Sequence, residues 1–548
     1  TRHVMNPDGI AYLDMGDAYW RGDWNTAINA LWSPLYSWVL GGALLVLQPS
    51  REWEFPVVHL VNFALYLAAL CCFEFLLREF MACQRRATER LVDRRIALPE
   101  WAFMALGYSV FIWSSLSLIT LGIVSPDMLV AALVYVASAL LLRIQAGRSE
   151  WSTFILLGLV LSFGYLAKAP MFPLAFIFLG ASLFAAGDLR RAAPRVLVAS
   201  IVFLAVAGPF VLALSKSKGR LTFGDSARLN YAWCVSGATL YVHWQGEPPG
   251  SGTPVHTTRR ISTVPAIYEF GTPIGGTYPL WYDPSYWYEG VVASFNWKGQ
   301  MNALRATAGV WWYILFHLQR GLIVLLFILL YMSRRSWSGW KNMAQYWVLL
   351  VPAMVACGMF SLVNLEPRYV GAFVVLLCLG ALAGVRLPNS RQGRSLLNYA
   401  TATMLLLLAL GTGSAMAQGA KEGKTAAAHA PWQVAAALDG MGVRAGDKVA
   451  SIGDSFRAYW ARLARVRIVA EIPSKGPYNE IAAGDVDSFW MANEPVKTQA
   501  VQAFARTGAK AIVTDEVPAS IAPGGWQKIG NTKYYVYALS RSYVVKRK

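Results

Sequence analysis

Three aspartates stand close together near the start of the chain, in Asn6-Pro7-Asp8-Gly9-Ile10-Ala11-Tyr12-Leu13-Asp14-Met15-Gly16-Asp17. A carboxylate held beside a hydroxyl can remove its proton as a general base. Pro7 suits the first turn of a helix, which puts Asp8 at or near the N-terminal cap. Asp14 and Asp17 are three residues apart and share a face if that segment is helical. The plainer reading makes Asp8 a cap and leaves Asp14 and Asp17 solvated. A fourth aspartate, Asp127, follows Ser125-Pro126, another good helix start. The same two readings apply, and they are compatible, because a capping carboxylate can also face a cavity.

Two cations complete the set. Lys168 lies in Tyr165-Leu166-Ala167-Lys168-Ala169-Pro170, and Arg368 in Asn364-Leu365-Glu366-Pro367-Arg368-Tyr369. Both mark junctions between long apolar runs. An arginine fork matches phosphate oxygens, and a lysine supplies a point charge. The plainer readings are snorkelling to lipid headgroups and, for Arg368, a pair with Glu366. Together the acids and cations fit a transfer reaction at a membrane surface. The carboxylate would take a proton from an acceptor hydroxyl, and the cations would hold a phosphate leaving group.

The elements that must carry these groups are membrane helices. The 548 residues are 56% hydrophobic and only 15% charged, where a soluble chain carries roughly a quarter charged residues. Apolar runs near 55–78, 100–121, 126–143, 151–167, 170–187, 195–214, 312–332, 343–363, 368–386 and 396–416 are each read as one span. The net charge of +18 would point to nucleic acid in a soluble domain. Here the excess arginine sits in short loops: Arg85 to Arg95, Arg143 to Arg148, Arg190 to Arg195, Arg334 to Lys341 and Arg386 to Arg394. These fall at every second connection, so all five can be cytoplasmic at once. The candidate acids and cations are then all external. The chain opens at Thr1, directly in the acidic loop, so an initiator Met and one hydrophobic helix are expected upstream.

The segment from Leu31 to Leu47 is apolar, but counting it as a span would invert every later loop. It is expected to lie in the interface. The external stretch 215–311 is rich in Trp and Tyr, unlike a disordered linker. The tail from about 430 alternates strand and helix patterns: strands at 448–452, 467–471, 509–514 and 534–538, helices at 456–466 and 496–507. Gly413 to His429 reads as a linker. The six cysteines form no disulfide framework, and the six histidines lack ligand spacing. No Walker loop, HExxH or dinucleotide fingerprint appears. No cofactor is called for, and a divalent metal is not indicated.

At these residues the chain resembles the GT-C superfamily of polyprenyl-phosphate-sugar-dependent glycosyltransferases. It is most similar to the branch with protein O-mannosyltransferases and lipid A aminoarabinose transferases. The matching runs are Pro7-Asp8-Gly9-Ile10-Ala11-Tyr12, Arg21-Gly22-Asp23-Trp24, Trp32-Ser33-Pro34-Leu35-Tyr36, Ser125-Pro126-Asp127, Ala167-Lys168-Ala169-Pro170 and Pro367-Arg368-Tyr369. They are spread over residues 7–369 in the family's order. The chain departs from the usual Asp-Glu pair at Gly9, and has Ala where the lysine turn often has Gly.

The resemblance implies an all-α polytopic membrane protein of about ten spans with a C-terminal external α/β domain. Its expected divisions are a catalytic loop with interfacial helices (1–54), transmembrane modules (55–214 and 312–416), the aromatic-rich loop (215–311), a linker (417–429) and the α/β domain (430–548). The implied activity is transfer of a sugar from a polyprenyl-phosphate carrier to an acceptor at the external, periplasmic face of a bacterial inner membrane. Asp8 would be the general base and Asp127 a helper. Lys168 and Arg368 would hold the lipid phosphate. Tyr12, Asp14, Asp17 and Tyr369 would complete the substrate site. The implied partners are the lipid donor, a glycan, lipid or protein acceptor, and the bilayer. A flippase would need ionisable groups at mid-membrane and internal repeats, and the sequence shows few of the first and none of the second. A non-catalytic assembly protein is the other alternative, favoured only by Gly9.

Overall fold

The computed structural model describes residues 3–89, 95–240, 243–271, 275–318, 343–388, 390–422, 426–474, 485–521 and 524–539. In chain order the first helices are α1 (Pro7–Trp20), α2 (Trp24–Ala27), α3 (Pro34–Leu47), α4 (Glu54–Glu89), α5 (Glu100–Trp113), α6 (Asp127–Gln145), α7 (Trp151–Ala167), α8 (Met171–Ala185) and α9 (Leu189–Lys218). Then come α10 (Ser226–Tyr231), α11 (Pro279–Tyr282), α12 (Pro284–Trp287), α13 (Trp297–Tyr313), α14 (Trp347–Ser361), α15 (Pro367–Gly384), α16 (Arg391–Glu422) and α17 (Ala426–Gly440). The tail adds α18 (Tyr459–Leu463), α19 (Asp485–Trp490) and α20 (Glu494–Arg506).

Among the described residues, six helices are long and apolar enough to cross a membrane: α4, α5 with its π-turn to Ile119, α6, α9, α15 and α16. Shorter apolar helices α3, α7, α8 and α14 pack among or beside them. The expected spans fall on these helices, except that 312–332 lies mostly outside the described residues. The chain is thus a polytopic, helical, integral membrane protein. Aromatics fill its centre: Phe73 stacks on Phe111 at 4.8 Å and Phe80 on Tyr346 at 4.3 Å.

Among the described residues the basic connections gather at one end; Arg334 to Lys341 lie outside those residues. Arg143 Nε donates to Glu79 of α4 at 2.7 Å, and Arg148 also reaches Glu79. Arg195 Nη1 donates to Ser149 Oγ at 3.1 Å, and Gln145 to the Gln345 carbonyl at 2.7 Å. Strand β1 (Arg95–Ala97) pairs with β4 (Arg386–Pro388), joining the first and last of these connections. Asp127 starts the 19-residue helix whose last turn holds Arg143, so the two stand about 24 Å apart along the axis.

At that other end, α1 lies across α3. A Cβ added at Gly16 would stand 2.7 Å from the Ser37 carbonyl and 3.1 Å from Gly41 Cα. The two backbones touch there, which only glycine allows. Above them sits a seven-stranded sheet in the order β2-β3-β6-β5-β7-β9-β8. Its tail strands are β5 (Lys448–Gly453), β6 (Arg467–Pro473), β7 (Ala511–Thr514), β8 (Gln527–Lys528) and β9 (Tyr535–Ala538). Strands β2 (Arg259–Thr263) and β3 (Ala266–Glu269) come from the aromatic-rich stretch, and β3 pairs antiparallel with β6. That stretch and the tail share one sheet. The segment 413–429, read as a linker, is helical to Glu422 and again from Ala426, as its alanine content favours.

Candidate active site

Asp8 occupies the first turn of α1 but does not cap it. Asn6 is the N-cap, and its side chain turns to Val124 instead: Val124 N–H donates to Asn6 Oδ1 at 2.8 Å. The start of α1 is thereby tied to the loop that leads into Asp127. Gly9 explains itself in this contact. A Cβ there would meet Val124 Cβ at 2.7 Å and Met5 Sδ at 2.8 Å. The second acid of the family's pair has no room at this position.

The Asp8 carboxylate accepts from Trp281 Nε1 at 3.2 Å and from Arg368 Nη2 at 3.0 Å. Arg368 sits in the first turn of α15, where a cation opposes the helix dipole. Acids offset this. Its Nε donates to Glu366 Oε2 at 2.6 Å and lies 3.8 Å from Asp127 Oδ2. The pair with Glu366 does form. No hydrogen bond of Nη1 is found among the described residues.

Asp127 is nearly sealed, its side chain 3% exposed. It accepts from Ser125 Oγ at 2.9 Å and pairs with Lys168 Nζ. Lys168 lies between α7 and α8, where extended backbone at Lys168 breaks the helix. Its ammonium stands 3.7 Å above the centre of the Tyr369 ring, a favourable cation–π position. Tyr369 in turn donates to Glu366 Oε1 at 3.2 Å. Burial first, then Asp8 and Asp127, push the Tyr12 phenol well above its ordinary value. It stays a neutral hydroxyl. Its ring meets Trp32 and Tyr36 edge-on at 5.3 and 5.1 Å.

Asp8, Tyr12, Asp127, Lys168, Arg368 and Tyr369 all line one cavity of about 320 Å³. Glu366, Trp281, Asn230 and Asn364 add polar groups, while Pro173, Phe223, Met359 and Phe360 give it an apolar flank. Three carboxylates and two cations face one another there. The arrangement can hold an anionic group on the cations and keep a carboxylate beside it. Among the described residues no group of three or more His, Cys, Asp or Glu is placed to hold a metal ion.

Asp14 and Asp17 are not in this cavity. They face the tail, where Arg462 Nη1 donates to both, at 2.8 and 2.6 Å. Burial raises the Asp14 carboxyl above its ordinary value against the pull of Arg462 and the Thr277 amide. Burial also opposes ionisation of Asp17, but Arg462 and Arg465 outweigh it and hold that carboxyl low. Sequence reasoning missed Arg462, and it reached Trp281 only as one of the aromatics of 215–311 expected to line the sugar site. One signal was present for Arg462: the spacing of Arg462 and Arg465 equals that of Asp14 and Asp17.

No family model and no curated protein matches the sequence. Among solved structures the chain is similar to ArnT from Cupriavidus metallidurans. Against the apo state the identity is 12% and the TM-score 0.49, covering 99% of this chain and 94% of that one. Against the state bound to undecaprenyl phosphate the identity is 11% and the TM-score 0.50, covering 99% and 95%. At such identity the likeness concerns architecture, and on it the chain has the fold of ArnT, C-terminal sheet domain included.

Proposed function

We propose that this chain is a membrane glycosyltransferase that moves a hexosyl or pentosyl unit from a polyprenyl-phosphate carrier to an acceptor at the periplasmic face. One observation carries the reading: Asp8 shares a cavity, and a 3.0 Å contact, with a cation suited to phosphate, beside an apolar flank suited to a prenyl chain. ArnT in the second similar structure is bound to undecaprenyl phosphate, the class of carrier proposed for this chain.

The acceptor oxygen attacks the anomeric carbon as the bond from that carbon to the phosphate oxygen breaks. The electron pair leaves with the lipid phosphate. Asp8 takes the acceptor proton, and attack from the face opposite the departing phosphate inverts the anomeric carbon. Lys168 and Arg368 stabilise the charge that grows on the phosphate. Asp127 keeps both cations in place and itself stays away from the proton. Tyr12 and Trp281 wall the sugar site. The stretch 215–311 and the tail from 430 select the acceptor. The basic end is the cytoplasmic one.

The purified chain in detergent, given a polyprenyl-phosphate-linked sugar and a cell-envelope extract as acceptor, is expected to release free polyprenyl phosphate. A transporter or an assembly protein releases none, and that result ends the proposal.

A further inference from the structure

The C-terminal domain grips the helix that carries Asp8. Arg462, on α18, has a side chain only 3% exposed. Besides Asp14 and Asp17 it holds Glu54 at the start of α4, with Nε 2.7 Å from Oε1. Arg465 repeats the bridge: Nη1 reaches Asp17 at 2.9 Å and Nη2 reaches Glu54 at 2.7 Å. Two arginines from the tail thus tie α1 to the first long membrane helix. Buried carboxylates of this kind need such partners, and removing one partner leaves charge uncompensated.

A second strut runs in parallel. The Thr277 amide and hydroxyl donate to the two oxygens of Asp14, at 2.6 and 3.0 Å. The Thr277 carbonyl accepts from Ile468 N–H of β6 at 3.0 Å. Four residues later Trp281 donates to Asp8 itself. Asp8 and Asp14 belong to one helix, about 9 Å apart along its axis. With α1 pinned at Asp14 and Asp17, it can neither slide nor turn at Asp8.

We infer that the C-terminal α/β domain is a positioning module for the Asp8 carboxylate, and that Arg462 is the positioning residue through which it acts. The catalytic part of this rests on Asp8 being the base. The mechanical part does not. Arg462 lines no part of the cavity that holds Asp8. It fixes where the base stands while the phosphate cations, on α15 and the α7–α8 junction, remain in place. Misplacement of a reacting group by about 1 Å can cost on the order of 100-fold in rate.

The test uses the full chain in detergent with Arg462→Gln, Arg462→Lys and Thr277→Val. Hydrogen exchange reads the mechanical part. In Arg462→Gln, amides of α1 from Ile10 to Asp14 exchange faster, while those of β5 and β7 keep their protection. Steady-state kinetics read the catalytic part. Arg462→Gln lowers kcat by about 100-fold with donor KM within about twofold, and Arg462→Lys recovers part of the loss. Thr277→Val, which removes one donor and leaves the ion pairs, gives a smaller change in the same direction. If Arg462→Gln does not fold, Arg462→Lys and Thr277→Val carry the same two readouts. Unchanged α1 protection overturns the inference whatever the activity. A kcat that falls only with the folded fraction overturns it too. A wild-type chain that releases no carrier sinks the transferase reading instead, and leaves hydrogen exchange to decide the grip of the tail on α1.

Discussion

Arg368 Nη2 stands 3.0 Å from Asp8 Oδ2, across 360 residues of sequence. The proposed base and a proposed phosphate-holding cation are therefore direct partners.

Arg368→Ala follows from that contact. It removes the fork but leaves Lys168 paired with Asp127. Donor KM is expected to rise by at least about tenfold, with a smaller effect on thermal stability. Arg368→Lys is not expected to restore it, because an ammonium cannot span Asp8 and Glu366 as a guanidinium does. Steady-state kinetics against donor concentration check this. Unchanged KM and kcat in Arg368→Ala would make the arginine a structural partner of Glu366.

Trp281→Phe keeps an aromatic ring, though a smaller one, and removes one N–H donor to Asp8. A hydrogen bond to a charged group is worth about 1.5–3 kcal/mol, so a fall in kcat of roughly tenfold is expected. The melting temperature stays near wild type. Equal kcat in the two proteins would show that the indole is only wall.

Gly9→Ala tests why the family's second acid is missing. The new methyl meets Val124 Cβ at 2.7 Å and Met5 Sδ at 2.8 Å. Overpacking of this kind costs about 1–3 kcal/mol, and it displaces the turn that holds Asp8. Lower stability with lost turnover is expected, and Gly9→Glu should be worse. A Gly9→Glu protein as active as wild type would contradict the tight contact.

Much of this was legible because membrane segments announce themselves. Asp127, Lys168 and Arg368 stood out as charges at the ends of apolar runs, where each needs a reason. Asp8 stood out beside Pro7. Pairing between distant segments was not legible. Nothing local marks Trp281 as the partner of Asp8, 273 residues away. Strands Arg259–Thr263 and Ala266–Glu269 are short and lack a clear alternation, and their place is set by β6, about two hundred residues later. Asp14 and Asp17 were read as substrate ligands because spacing showed their shared face but not that Arg462 covers it. The tail strands were visible from their apolar runs, while the grip of the tail on α1 needed coordinates.

Asp17 gives a pH prediction with a definite sign. Its carboxyl is held below the ordinary value by Arg462 and Arg465, against burial. The folded state therefore binds this proton less tightly than the unfolded chain. Its stabilising contribution is complete above the unfolded value, about 3.9, and is lost as pH falls through the lower folded value. Asp14, raised by burial, has the opposite sign: stability falls as pH rises from the unfolded value through the folded one. Melting curves across acidic pH should show less acid-side loss for Asp17→Asn than for wild type. Identical acid limbs would contradict the pairing.

Asp8→Asn bears most directly on the central claim. The amide keeps the size of the carboxylate and cannot take the proton. Arg368 retains Glu366 and Asp127, so the fold and donor binding are expected to survive. Release of free polyprenyl phosphate by the purified variant should fall by about 10² to 10⁴-fold, with donor affinity close to wild type. A well-folded Asp8→Asn protein that releases the carrier at the wild-type rate would remove Asp8 from the reaction.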